Sequence, residues 1–210
     1  YYHVALDPVY GSSLIIGGAQ DNGTTESKAG STHVRIESGD GVSVGISKPV
    51  NGEQFQYMGY QLGGIERRKV STDFYSDIKP DGANEGIFVT LFLLDQDNPD
   101  YLYYASDRVL YKTTRASLVN NKVDNGSNWI RMTGVENAIE GNIRSLRVSY
   151  GAYSSESKLY IGTDNGKIYV LKDPALAAAN AQPKDITPSG ASVIEGNVVC
   201  DIAVNPRNDD

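Results

Sequence analysis

Leu14-Ile15-Ile16-Gly17-Gly18-Ala19-Gln20-Asp21-Asn22-Gly23-Thr24 decides how this chain is read. An apolar run meets small residues, then a polar Asp-Asn-Gly turn, then a second run begins. Asn-Gly tolerates the positive φ angles that a tight turn demands, so the stretch predicts a β-hairpin. The same order recurs from Leu159 to Tyr169 and from Leu102 to Lys112, and more weakly from Gln56 to Arg67. Taking Gly17, Gly59, Ala105 and Gly162 as equivalent points, the intervals are 42, 46 and 57 residues. A four-stranded propeller blade occupies roughly 40–50 residues, and insertions lengthen it.

The flanks complete each unit. Apolar runs ending in Pro- or Gly-containing turns precede the hairpins at His3 to Pro8, Val89 to Leu94 and Ile143 to Tyr150, with Val42 to Ile46 a poorer fit. Half-polar strands follow at Thr32 to Glu37, Asp73 to Lys79, Asn128 to Thr133 and Pro183 to Thr187. Inner strands packed on both faces and outer strands meeting water are what a radial blade produces. The predicted fold is therefore all-β, a partial β-propeller of about four four-stranded antiparallel blades. Their approximate limits are 1–40, 41–86, 87–140 and 141–190, in a single domain. The segment 197–210, carrying Val198 to Val204 and then Asn205-Pro206, starts a fifth. One helix is predicted, over Asp173 to Asn180, with Asp173 as cap and Pro174 at the first helical position.

Composition narrows the function. The 210 residues carry a net charge of −7, which disfavours nucleic acid as a partner. No apolar stretch is long enough to span a bilayer, so membrane insertion is not expected. The single cysteine, Cys200, excludes a disulfide within the chain and reads as a buried strand residue. His3 and His33 stand 30 residues apart without partners at metal-ligand spacing, and both read as strand residues. No alternating calcium loop is present, and no metal or other cofactor is expected. The first residues lack a basic start and an apolar core, so the chain is either cytosolic or begins inside a longer precursor. The close of the chain on a strand-like run favours the second.

Lys122-Val123-Asp124-Asn125-Gly126-Ser127-Asn128-Trp129 resembles the Asp-box, Ser-x-Asp-x-Gly-x-Thr-Trp, keeping its Asp, Gly and Trp. The repeats as a whole resemble the Asp-box (BNR) and sortilin-like propellers of secreted proteins. The stretches Gly18 to Thr24 and Gly39-Asp40-Gly41 resemble segments of large Bacteroidota surface proteins, many exported through type IX secretion. The resemblance spans nearly the whole chain and implies an extracellular or cell-surface location.

Asp-boxes also occur in sialidases and xyloglucanases, so a glycan-cleaving or glycan-binding fragment is the alternative. Retaining and inverting glycosidases set two carboxylates across a cleft, whereas sialidase chemistry needs a Tyr nucleophile, acidic partners and an arginine triad. Arg67, Arg68, Arg108, Arg115, Arg131, Arg144 and Arg147 show no spacing that marks one. Propeller geometry collects second-to-third-strand turns and blade connections on one rim. That rim would hold Asp21, Asn22, Asp40, Gln61, Asp107, Arg108, Asp164 and Asn165 as the candidate binding residues. Asp and Asn at such turns also stabilise hairpins without any ligand. Tyr10, Tyr60 and Tyr153 lie near turns and could stack on sugar rings. With no catalytic set in view, the expected role is a non-catalytic interaction or scaffold part of a larger secreted protein. The expected partners are another protein or the remaining blades.

Overall fold

The computed structural model describes residues 1–29, 32–120, 128–189 and 197–206. Four antiparallel sheets of four strands each follow one another along the chain. The first holds β1 (His3–Leu6), β2 (Leu14–Ala19), β3 (Gly23–Lys28) and β4 (Val34–Glu37). The second holds β5 (Val44–Ile46), β6 (Phe55–Tyr60), β7 (Gly64–Lys69) and β8 (Phe74–Asp77). The third holds β9 (Leu91–Leu94), β10 (Leu102–Ser106), β11 (Val109–Thr113) and β12 (Ile130–Arg131). The fourth holds β13 (Ile143–Val148), β14 (Lys158–Thr163), β15 (Ile168–Lys172) and β16 (Lys184–Asp185). Each sheet is a meander in sequence order, the arrangement of a partial β-propeller.

The core lies between sheets, in three layers. Leu14 and Ile16 of the first sheet meet Val44 and Ile46 of the second. Tyr57 and Ile65 of the second meet Phe92, Tyr104 and Tyr111 of the third, with Trp129 donating its indole N–H to the Ile78 carbonyl at 2.8 Å. Tyr103 and Leu110 of the third meet Leu146, Leu159 and Ile161 of the fourth. Strand alternation explains the layers, since successive side chains enter opposite interfaces. Tyr103 and Tyr104 are neighbours in sequence and sit in different layers, each about 1% exposed or less.

All four hairpins turn where the sequence places them, at residues 20–22, 61–63, 107–108 and 164–167. Asp21 and Asp107 adopt φ of 62° and 53°, and Gly23 and Gly63 take 72° and 83°. Aspartate tolerates this left-handed region by bonding locally, which accounts for its use there.

Several expectations are corrected. Asp173 to Asn180 forms turns, with no helix. Leu176 and Ala177 N–H groups reach the Asp173 carbonyl, but the carbonyls of Pro174, Ala175 and Ala177 accept instead from the buried Lys112 ammonium. A helix cannot propagate once its acceptors are diverted. The helix is instead α1 (Thr133–Ala138), where a strand was expected to run through Thr133. Val135 and Ile139 anchor it in the third layer, and Arg131 pairs with Glu136 at 2.7 Å. Met132 is the N-cap of the helix and no side chain caps it, while the Thr133 hydroxyl donates to the Ala179 carbonyl at 3.2 Å. His33 lies just outside β4 and is exposed. Cys200 is exposed, and 197–204 forms no ladder among the described residues. Its Val199 N–H bonds to the Thr163 carbonyl at 3.0 Å, beside the fourth sheet. Inner strand β1 is also not buried on both faces: Val4 and Leu6 are 51% and 68% exposed.

Candidate functional site

The candidate rim residues fall into three groups, each joining a hairpin turn to the approach of an inner strand. In the first, Asp21 N–H donates to Asp40 Oδ1 at 2.7 Å, and Asp40 N–H donates to Gln61 Oε1 at 2.9 Å. Asp40 precedes β5, so it links the turn of the first sheet to the turn of its own. Asn22 lies apart from this chain, its side-chain amide donating to the Gln20 carbonyl at 3.1 Å. It lines a shallow recess with Tyr1, Tyr2, Gln20 and Thr25.

The second group is Asp107 and Arg108. The Asp107 carbonyl accepts from Ile143 N–H at 2.8 Å, and Arg108 donates to the Ile139 carbonyl at 2.6 Å. The third is Asp164 and Asn165. Asp164 accepts from Asn142 N–H and side-chain amide at 2.8 and 3.0 Å, and from Arg144 at 3.0 Å. Burial pushes the Asp164 carboxyl up, but the Asn142 bonds and the Arg144 charge outweigh it and hold the group below its ordinary range. Thr163 donates to Asn165 Oδ1 at 2.6 Å. The structure therefore brings Asp21, Asp40 and Gln61 together, and leaves Asp107–Arg108 and Asp164–Asn165 each at a separate junction.

A cleft of about 650 Å³ runs between the sheets, lined by residues of β1, β5, β9 and β13 and by Cys200 and Asp201. These strands are the inner ones. Its ionisable lining comprises Tyr2, His3, Arg144, Arg147, Cys200 and Asp201, so Asp201 is the one carboxylate among the described lining residues. His3 Nδ1 accepts from Val44 N–H at 3.2 Å, which ties the first two inner strands together. Among the described residues no three His, Cys, Asp or Glu side chains gather as a metal site.

The arginines do not converge either. Arg67 donates to the Ala116 carbonyl at 2.8 Å with its guanidinium over the Phe55 ring. Arg68 bonds Glu26 and Asp73, Arg131 bonds Glu136, and Arg147 bonds the Tyr150 hydroxyl. Of the turn tyrosines, Tyr10 is fully exposed and Tyr60 half-buried. Tyr153 donates to Asp173, accepts from Ala175 N–H at 3.1 Å and packs edge-on against Tyr101. The Asp-box-like Asp124 to Ser127 lies outside the described residues, while its Trp129 fills the second core layer.

Sequence reasoning missed the partners that complete these junctions. Thr90 Oγ1 accepts from Gly63 N–H at 2.8 Å and donates to the Tyr60 carbonyl. Asn142 and Arg144 engage Asp164, and Lys112 grips the next sheet. A usable signal existed. Gly39, Gly86 and Gly141 all take φ between 66° and 77° shortly before an inner strand. Glu85-Gly86 and Glu140-Gly141-Asn142 are echoed by Glu195-Gly196-Asn197.

No family model matches the chain, and no curated protein does. Among solved structures, it is similar to PorZ of Porphyromonas gingivalis, described as an essential bacterial surface component of the type IX secretion system. The match has a TM-score of 0.58 at 14% identity and covers 97% of this chain. The chain spans about 30% of the length of the PorZ chain. At that identity the likeness is one of fold.

Proposed function

We propose that this chain is a non-catalytic scaffold segment of a β-propeller within a larger protein of the bacterial cell surface. The observation that carries this reading is the use of the rim. Asp40, Gln61 and Arg108 spend polar atoms on the connections from one sheet to the next, and Asp164 on the approach to the inner strand of its own sheet, so the residues best placed to meet a ligand already have protein partners. The cleft lining supports the same reading. Retaining or inverting glycoside hydrolysis by a carboxylate pair needs two opposed carboxylates, and the described lining offers Asp201 alone. The fold shared with PorZ, a surface component of a secretion system, supports the proposed location and a role in assembly.

The test substitutes Asp21, Asp40 and Asp164 singly with Ala in the full-length protein. Hydrolysis is assayed across a panel of glycans, with binding to the cell surface and thermal unfolding measured in parallel. The expected result is no hydrolysis in the parent protein, with losses in the variants confined to stability or binding. Robust cleavage by the parent, abolished by one substitution in a folded variant, would establish the glycosidase instead.

A further inference from the structure

We infer that 197–204 is the docking strand of a fifth blade: three further antiparallel strands of the same propeller pair with its free edge and cover the outer face of the fourth sheet. This rests on the propeller reading above and concerns a surface that reading leaves open. Four observations carry it.

First, the fastening found at the starts of β5 and β13 is repeated here. Gly41 N–H bonds the Ala19 carbonyl before β5, and Ile143 N–H, at the first residue of β13, bonds the Asp107 carbonyl. Val199 N–H makes the same kind of bond to Thr163. Second, a serine on an inner strand, or just before it, reaches the start of the next. Ser43 Oγ donates to the Thr90 carbonyl at 2.7 Å, one residue before β9. Ser145 Oγ donates to the Val199 carbonyl at 2.8 Å, which puts Cys200 in the place of Leu91, the first residue of an inner strand. Third, Ile139-Glu140-Gly141-Asn142-Ile143 leads into β13, and Ile194-Glu195-Gly196-Asn197-Val198 repeats four of its five residues. Fourth, the fourth sheet makes room for this strand. A Cβ on Gly162 would lie 2.5 Å from Val199 Cγ1, just as one on Gly18 would lie 2.3 Å from the Val42 carbonyl oxygen.

The face to be covered follows from alternation. Leu159, Ile161, Tyr169 and Leu171 are buried against the third sheet. Tyr160, Ile168 and Val170 therefore point the opposite way, and each is half-buried. A blade docked there extends the sequence of core layers by one more, continuous with the three already formed. Among the described residues 200–204 pairs with no strand, and apart from the Ile202 N–H, which bonds Asp201 Oδ1 at 2.8 Å, its backbone offers groups that another strand satisfies.

Hydrogen–deuterium exchange on the full-length protein tests this. Amides of 200–204 are expected to exchange roughly a hundredfold more slowly than those of the 81–86 loop, as β9 does, at every protein concentration. Exchange as fast as the loop would overturn the inference. Protection that disappears on dilution would overturn it too, by identifying a second copy as the occupant. Ser145→Ala is expected to speed exchange of 200–204 several-fold while leaving β9 unchanged. None of these readouts depends on hydrolysis, so failure here and failure of the non-catalytic reading are separable.

Discussion

Glu26 shows what a half-buried charge does at a sheet junction. Its carboxylate accepts from Gln56 at 2.7 Å and from Arg68 at 3.0 Å, both on the second sheet. Burial raises its pKa, but the Gln56 bond and the Lys28 and Arg68 charges prevail and hold it below the ordinary 4.5. A carboxyl lowered in the folded state adds stability above its ordinary value, and that stability is lost as pH falls through the folded value. Glu26→Gln should therefore cost about 1 kcal/mol at neutral pH, and its denaturation curve should converge on the parent's below pH 4.5. Urea titrations at several pH values check this. Lys112 holds the next junction but one. Lys112→Met strands the Pro174, Ala175 and Ala177 carbonyls without their donor, with an expected loss of about 2–4 kcal/mol by chemical denaturation.

At the level of strands and turns, glycine placement makes a sharp contrast. A Cβ at Gly18 would meet backbone atoms of Gly41 and Val42 at 2.3–2.8 Å, which cannot yield without parting two sheets. At Gly59 the nearest atoms stand at 3.2–3.3 Å, and two of them belong to side chains. Gly18→Ala is expected to destabilise by about 3 kcal/mol and Gly59→Ala by about 1 kcal/mol or less, read from thermal or urea unfolding. The hairpins were legible in the sequence because Asp21, Gly23, Asp107 and Gly166 answer a local demand of the backbone. What was not legible depends on distant groups. The 173–180 segment has the local chemistry of a helix start, and only Lys112, more than sixty residues earlier, withdraws its acceptors. Likewise Asp164 reads as a turn residue in isolation, and Asn142 and Arg144 turn it into a fastener.

The whole molecule is a row of sheets with an uncovered face at its first end. Leu6, Val4 and Ile15 are 68%, 51% and 40% exposed on the first sheet, and strand pairing sets Leu6 beside Ile15. Contiguous apolar area of this kind drives association. The 210-residue chain alone is expected to self-associate, and Leu6→Lys to shift it toward monomer, as sedimentation velocity would show. An unchanged distribution would mean that this face is not what joins the copies.

The turn-to-strand fasteners have one further consequence, for the order in which the protein is made. Asp21 finds Asp40 after 19 residues, Gly63 finds Thr90 after 27, and Asp107 finds Ile143 after 36. Each bond closes over a short loop, so little entropy stands in its way. Each also waits on nothing but the start of the next blade to emerge. A chain delivered from its first residue, by a ribosome or through a translocation pore, can lock every blade to its predecessor in turn, and never has to hold a finished blade open for a distant partner.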